Sequence, residues 1–246
     1  MARGISEQDQ NNFASPILPI LQKALLDLSW LLSESYSERA ALQLVGDRYQ
    51  LTRRQRMAVM RCSCSDADLE RRQKHESAQL EKFLVLDGFN LLISLEVALV
   101  GGILLKGRDH CLRDLAGIHG SYRQVPQTRQ ALILLAEFLS EEKVENCLFY
   151  FDRRISNSGR IKKLVEQVSA QEGQSWSVEL VDNCDKLLIN SKQMVATSDG
   201  QIIGQVPKWY NLAYRLVKRK IPKAWIVDLA NFQSFPERQL SYNLYG

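Results

Sequence analysis

Hydrophobic and polar positions divide the chain into a helical first part and a second part in which strands and helices alternate. Apolar residues recur at helical spacing over residues 18–32, and shorter helices are predicted over residues 38–45 and 53–62. Residues 65–80 are polar, with little apolar periodicity. This polar stretch predicts the boundary between a small all-α domain and the part that follows.

After residue 80, short apolar runs alternate with helical patterns, which is typical of an α/β fold with a parallel sheet flanked by helices. The predicted strands cover residues 83–86, 144–151, 176–181, 194–197 and 224–227, and residues 101–106 are predicted as a turn with room for a short strand. The predicted helices cover residues 90–99, 108–116, 127–139, 159–170, 185–190 and 209–220. The predicted segments are a disordered N-terminus (1–15), the helical domain (16–78), the α/β domain (79–232) and a C-terminal tail (233–246).

Composition narrows the class of protein without fixing its partner. The 246 residues are 45% hydrophobic and carry a net charge of +4, which permits a nucleic-acid partner but does not require one. The five cysteines have no zinc-ligand spacing and predict reduced thiols in a cytoplasmic protein. The longest apolar stretch, residues 91–105, is too short to span a bilayer, so we expect no membrane association. A homodimer is left open.

Aspartates follow four of the predicted strands. They are Asp87, Asp152, Asp182 (with Asp185 one helical turn further on) and Asp199. A single Asp-Gly after a strand is usually only a turn. The carboxyl ends of parallel strands meet at one edge, however, so several such acids can converge. Clustered carboxylates repel one another, and a divalent cation with a preference for oxygen ligands, Mg²⁺ or Mn²⁺, relieves that repulsion.

Spacing excludes several other chemistries. The sequence contains no phosphate-binding P-loop, no Gly-x-Gly-x-x-Gly dinucleotide motif and no Gly-x-Ser-x-Gly nucleophile elbow. A haloacid-dehalogenase-type phosphatase needs a second Asp two residues after the first, and Phe89 stands at that position.

The order of the aspartate motifs resembles the PIN/NYN nuclease superfamily. The motifs are Asp87-Gly88-Phe89-Asn90, Phe149-Tyr150-Phe151-Asp152, Val181-Asp182-Asn183-Cys184-Asp185 and Thr197-Ser198-Asp199-Gly200. The whole chain also resembles an uncharacterised prokaryotic family, a domain of unknown function that joins a helical N-terminal domain to a PIN-like domain. That closer resemblance is carried by residues 44–56, 107–123 and 151–160. Ordinary PIN domains lack the insert over residues 101–123 in this form.

The resemblance implies a metal-dependent, endoribonuclease-like hydrolase. Asp87, Asp152, Asp185 and Asp199 would bind Mg²⁺ or Mn²⁺ and carry out catalysis. Asp182 is the alternative to Asp185, and Glu96 is a further candidate acid on an early helix.

Basic and polar segments near these acids are candidates for RNA binding. The residues are Asn90, Arg108, Arg113, Arg123, Ser156, Asn157, Ser158, Gly159 and Arg160. Arginine binds phosphate in a bidentate manner, and a helix N-terminus offers free N–H groups to an anion. The alternative at residues 156–160 is a well-capped helix. His119 is either a general acid or base or a buried, hydrogen-bonded histidine.

Two basic runs, residues 48–61 and 208–223, are either phosphate-binding faces or solvated helix faces. Two other functions also stay open at this stage: a nucleic-acid-binding module without catalysis, and a protein-interaction or toxin-type partner.

Overall fold

The computed structural model describes residues 4–116, 120 and 122–231. An N-terminal helical region is followed by a parallel sheet flanked by helices, which confirms the predicted α/β fold class. The predicted tail (233–246) and His119 lie outside the described residues.

The elements alternate along the chain after the first five helices. The helices are α1 (Asp9–Asn12), α2 (Leu18–Ser33), α3 (Glu38–Arg48), α4 (Arg53–Cys62), α5 (Asp66–His75), α6 (Gly88–Leu99), α7 (Pro126–Glu141), α8 (Ser158–Gln171), α9 (Cys184–Ile189), α10 (Gly200–Ile203) and α11 (Leu212–Lys220). The strands are β1 (Phe83–Asp87), β2 (Ile103–Lys106), β3 (Leu112–Asp114), β4 (Asn146–Asp152), β5 (Ser175–Val181), β6 (Met194–Ala196) and β7 (Trp225–Asp228). Among the described residues, no helix combines the length and apolarity needed to cross a membrane.

The larger sheet is parallel and has the strand order β5-β4-β1-β6. The central strand β1 is buried on both faces, and its last residue, Asp87, lies beside Tyr150 of β4. Helices α6, α7, α8 and α11 pack on one face, while α9 and α10 cover the other. Because all four strands run in the same direction, their carboxyl ends form one edge of the sheet.

A second sheet, of order β3-β2-β7, was not predicted. The prediction of a helix over residues 108–116 is wrong, because Leu112 pairs with Lys106 in an antiparallel hairpin. His110, with φ of 63°, lies in the turn. The run over residues 224–227 was predicted to extend the parallel sheet. As β7 it pairs with β2 in the second sheet instead.

The N-terminal helices bury their apolar faces against this second sheet. Leu25 of α2 and Val59 of α4 share one core with Leu105 of β2 and with Val227 and Leu229 at the end of the described chain. Burial of such side chains contributes about 1.5–3 kcal/mol each. The predicted boundary near residue 78 therefore falls between two segments that share a core.

Residues 4–15 are folded, so the prediction of disorder over residues 1–15 is wrong for that part. Phe13 is buried in the core of the N-terminal helices. Asp9 is also buried and accepts a hydrogen bond of 2.7 Å from Nη2 of Arg54. The polar sequence of residues 4–15 did not indicate this ion pair, because Arg54 lies far along the chain, in α4.

Candidate functional site at the carboxyl edge of the parallel sheet

Asp87 is held at the junction of β1 and α6. Its Oδ1 accepts a hydrogen bond from the backbone N–H of Asn90 (3.4 Å), so that Asp87 caps α6. Its Oδ2 accepts a hydrogen bond from the hydroxyl of Thr197 (2.9 Å). The strand enters the helix directly at Gly88, where a Cβ atom would lie 2.4 Å from the ring of Phe151. Glycine at this position therefore leaves room for the Phe151 ring beside the first turn of α6.

Asp199 is positioned by the turn that follows β6. Its backbone N–H donates to Thr197 Oγ1 (3.1 Å), and its carboxylate caps α10 by accepting from the backbone N–H of Gln201 (2.8 Å). The side-chain oxygen of Asn90 accepts from the N–H of Ser198 (2.8 Å). Asn90 therefore joins α6 to this turn, and the structure gives the predicted RNA-binding residue a definite internal role.

The other aspartates lie along the same edge. Asp152 ends β4 and accepts from the backbone N–H of Arg154 (2.8 Å). Asp185 is exposed in the first turn of α9. Asp182, the alternative to Asp185, is exposed and forms an ion pair of 3.5 Å with Arg153. We call Asp87, Asp152, Asp185 and Asp199 the acidic edge.

The acidic edge is coupled electrostatically. Burial raises the pKa of Asp87 to about 7; the hydrogen bonds from Thr197 and Asn90 oppose this rise, and Asp199 and Asp185 add to it. Burial also raises the pKa of Asp185, and the charges of Asp199 and Asp152 reinforce that effect. Each of the four carboxylates thus acts on the charge of at least one other.

Cys184 lies near these carboxylates, although no motif or spacing in the sequence pointed to it. Burial raises the pKa of its thiol, and the charges of Asp87, Asp185 and Asp152 raise it further. The thiol is therefore protonated at neutral pH, and we assign it no nucleophilic role.

The donor set suits a hard divalent cation, because every acid of the edge offers carboxylate oxygens and their mutual repulsion favours a positive charge. Within residues 4–116, 120 and 122–231, however, no group of three or more His, Cys, Asp or Glu side chains is arranged so that it could hold a metal ion. The chemistry of the donors fits Mg²⁺ or Mn²⁺, and coordination by three of them requires a rearrangement of side chains.

Asp87 and Asp199 open onto a cleft of about 690 Å³, here called the central cleft. One wall is the sheet edge with α6 and α10, and the other wall comes from α4, α5 and β3. Asp152 and Asp185 do not line this cleft. The N-terminal helices therefore form part of the cleft into which half of the acidic edge faces.

Arg72 of α5 brings a positive charge to this cleft, and sequence reasoning missed it. Its Nη1 donates to Asp109 Oδ2 (2.7 Å), and its carbonyl oxygen accepts from Trp209 Nε1 (2.7 Å). A Cβ atom on Gly200 would lie 2.6 Å from its Nη2, which places the guanidinium against the turn that carries Asp199. Its buried Nε has no hydrogen-bond partner among the described residues.

Glu96 lies away from the acidic edge, which argues against its predicted role as a metal ligand. It is fully buried in α6, where its Oε1 accepts from the hydroxyls of Tyr122 and Thr128, the latter at 2.5 Å. Glu96 therefore joins α6 to the start of α7.

Two arginines predicted to bind RNA form internal contacts instead. Both terminal nitrogens of Arg113 bind the carboxylate of Asp109, at 2.7 and 2.6 Å, and both residues are largely buried. Arg108 donates to the carbonyl of Cys64 (2.9 Å) and pairs with Asp66. Local sequence suggested free basic groups because Asp66 and Cys64 lie more than forty positions away. Arg123 is exposed.

Hydrogen bonds to Gly120 and Tyr122 hold the start of α8 in place. The N-cap Asn157 has φ of 70° and donates its side-chain amide to the carbonyl of Tyr122 (2.9 Å). The N–H of Ser156 donates to Gly120 (3.1 Å), and Ser158 is buried. The alternative of a well-capped helix is not confirmed either, because the Asn157 side chain makes no capping hydrogen bond to α8. Gly159 and Arg160 remain exposed.

Most arginines of the basic run over residues 48–61 form ion pairs within the molecule, which favours the alternative of a solvated helix face over a phosphate-binding face. Four of its arginines pair with acids: Arg48 with Asp27, Arg54 with Asp9, Arg56 with Asp47 and Arg61 with Asp114. In the run over residues 208–223, three residues are paired in the same way: Lys208 with Glu81, Arg219 with Glu142 and Lys220 with Glu141.

Comparisons with known proteins give two family matches. The family described as Domain of unknown function (DUF5616) matches residues 77–215, and the family described as Protein of unknown function (DUF434) matches residues 20–75. The Uncharacterized protein MJ0935 of Methanocaldococcus jannaschii is 31% identical over 186 residues, which are 74% of this chain and 88% of that protein. No solved structure matches the chain.

Proposed function

The chain belongs to the family described as Domain of unknown function (DUF5616), and we propose that it is a nuclease that uses Mg²⁺ or Mn²⁺ at the acidic edge and acts on RNA. The observation that carries this proposal is that Asp87, Asp185 and Asp199, which come from three separate segments of the chain, lie along one edge of the parallel sheet, where their charges act on one another. A stable protein does not need like charges held together, whereas a cation-binding site does.

In this proposal the acidic edge binds the metal ion, and the central cleft binds the RNA backbone. A bound Mg²⁺ or Mn²⁺ supplies Lewis acidity, which lowers the pKa of water and offsets the charge of a phosphodiester. Asp87 and Asp199 are the ligands that face the cleft, and Thr197 orients both of them through its hydroxyl. Arg72 lines the cleft from α5, and its Nε, which has no hydrogen-bond partner among the described residues, can donate to a phosphate of the RNA backbone.

Reduced thiols support a cytoplasmic location as part of the same proposal. All five cysteines are unpaired and four of them are buried, which suits a reducing compartment.

Asp87→Asn tests the proposal directly. We expect the full-length wild-type protein to cut labelled RNA when Mn²⁺ or Mg²⁺ is added, and Asp87→Asn to lose at least about a hundredfold in rate because a charged ligand is removed. Gel analysis of RNA and DNA strands of the same sequence measures cleavage and identifies the preferred nucleic acid.

Asp182→Asn is the matched control, because Asp182 lies at the same sheet edge, is paired with Arg153 and is not among the charges that act on Asp87. It should cleave at the wild-type rate. Undiminished metal-dependent cleavage by Asp87→Asn would disprove the assignment of the site. Loss of cleavage in Asp87→Asn also shows that the activity of the wild-type preparation does not come from a contaminating nuclease.

A nucleic-acid-binding protein without catalysis is the second candidate. It is favoured by the absence, among the described residues, of a preformed group of three metal ligands. RNA binding by the wild-type protein without any cleavage, together with no increase in melting temperature on addition of Mn²⁺, would select this candidate over the nuclease.

A further inference from the structure

A second cleft, of about 440 Å³, lies between the end of α5, the β2–β3 turn and α11. It shares no lining residue with the central cleft. Its lining residues include Arg215 and Lys218, two basic residues of the run 208–223 for which the structure shows no ion pair among the described residues. We call it the α11 cleft.

The α11 cleft contains an unused hydrogen-bond acceptor. Asn211 is only 2% exposed, and its Nδ2 donates to the carbonyl oxygen of His110 (3.1 Å). Its Oδ1 is buried and has no hydrogen-bond partner among the described residues. A buried amide oxygen without a donor costs free energy, on the order of 1–3 kcal/mol. A ligand N–H group reaching Asn211 would recover that cost.

Two cations that form no close ion pair among the described residues line the same cleft. Arg215 and Lys218 lie about one turn apart on α11, and neither makes an ion pair within the part of the chain that the structure describes. Their neighbours on the helix, Arg219 and Lys220, both pair with Glu141 of α7. Arg215 and Lys218 are therefore the charges of this helix that remain available to an anion.

Aromatic rings lie beside these cations. The Lys218 Nζ is 5.7 Å from the centre of the Tyr214 ring, and the Arg215 guanidinium is 4.9 Å from the centre of the Tyr210 ring. Tyr214 itself lines the cleft. The cleft thus combines a planar apolar surface, two positive charges and a buried acceptor. Glu76 is the one acid among its described lining residues; it interacts electrostatically with Arg215, and the lining keeps a net positive charge.

From this combination we propose that the α11 cleft binds a nucleotide. Arg215 and Lys218 bind the phosphate, Tyr214 stacks on the base, and Asn211 Oδ1 accepts a hydrogen bond from a base N–H group. The ligand is either a free mononucleotide or one nucleotide unit of an RNA strand. This site does not depend on the acidic edge or on nuclease activity.

Calorimetric titration of the full-length protein with adenosine monophosphate, inorganic phosphate and a short RNA tests the proposal. A metal chelator is present, so that the unneutralised acidic edge repels phosphate. We expect adenosine monophosphate or the RNA to bind at least about tenfold more tightly than inorganic phosphate, because only nucleotides engage Tyr214 and Asn211. Binding of adenosine monophosphate identifies a free nucleotide as sufficient, and binding of the RNA alone identifies the strand.

Lys218→Glu should weaken nucleotide binding by at least about tenfold through loss of a charge-assisted hydrogen bond. Lys223→Glu is the matched control, since Lys223 is exposed in the same basic run but does not line the cleft. Both substitutions are at exposed positions, and unchanged melting temperatures will show that both variants fold.

Tyr214→Leu provides a second, chemically distinct test. It should reduce nucleotide affinity and leave the affinity for inorganic phosphate unchanged. Equal affinities for nucleotide and phosphate, equal effects of Lys218→Glu and Lys223→Glu, or no binding of any of the three ligands would each overturn the proposal.

Discussion

Burial and like charge act in the same direction on Asp87. Its pKa lies at about 7, compared with 3.8 for an ordinary aspartate, because the carboxylate is desolvated and lies near Asp199 and Asp185. Between about pH 4 and pH 7 the folded protein holds a proton that the unfolded chain has lost. The contribution of Asp87 to stability is therefore greatest below about pH 4 and falls as pH rises through 7.

Asp87→Asn should consequently stabilise the metal-free protein at alkaline pH. We expect a gain of about 1–3 kcal/mol at pH 8 and almost none at pH 4, since one pKa unit corresponds to about 1.4 kcal/mol. Denaturant unfolding in a chelator at both pH values measures the gain. Parallel stability–pH curves for wild type and variant would contradict this account, and Asp182→Asn should follow the wild-type curve.

At the residue scale, the sequence predicted side chains whose position follows from the strand they end. It did not predict side chains whose role depends on a contact made by the folded chain. Asp87, Asp152 and Asp199 were recognisable because each follows an apolar run. The hydroxyl of Thr197 that bonds Asp87 was not, because the two residues are 110 positions apart. Arg113 was assigned to RNA for a related reason, since its bidentate contact with Asp109 depends on the hairpin that brings them together.

At the scale of elements, α5 shows how a helix can escape prediction from hydrophobic periodicity. None of its residues is buried, so it has no apolar stripe. It is specified instead by Ser65 at the N-cap, by acids in the first turn and by bases in the last. These charges were visible in the sequence, where they were interpreted as part of a domain boundary. Residues 108–116 show the opposite error: a helix was predicted there, but pairing with β2 overrides the local helical preference.

Ser65→Ala should weaken α5 and lower global stability by about 1 kcal/mol, because the Ser65 hydroxyl accepts from the backbone N–H of Asp68. Ser65→Asp keeps an acceptor at the N-cap and should restore most of the loss. Thermal unfolding of the two variants measures the difference. Equal melting temperatures for the Ala and Asp variants would show that the cap contributes nothing.

At the scale of the whole molecule, two family matches meet near residue 76, yet the cores do not separate there. Ile103 and Leu105 of β2 are fully buried in the same cluster as the apolar residues of α2 and α4. The alternation of strands and helices predicted the parallel sheet, but it could not predict that β2 shares a core with the N-terminal helices. Nothing local distinguishes a strand of one sheet from a strand of the other.

Separate fragments covering residues 1–76 and 77–246 should therefore fail to fold independently. Each would expose one half of the shared core, and co-expression should restore a soluble complex. Circular dichroism and size-exclusion chromatography of the single and co-expressed fragments measure this. Cooperative thermal unfolding of both isolated fragments would refute the prediction, and intact protein expressed in parallel is the control.

The shared core also constrains the order of events during synthesis. The N-terminal helices leave the ribosome first, but Val227 and Leu229, which complete their core, are added only after the parallel sheet has been translated. Until then the apolar faces of α2 and α4 lack part of their cover and are available to other hydrophobic surfaces in the cell. The N-terminal helices therefore depend on β7 and Leu229 to end that exposure.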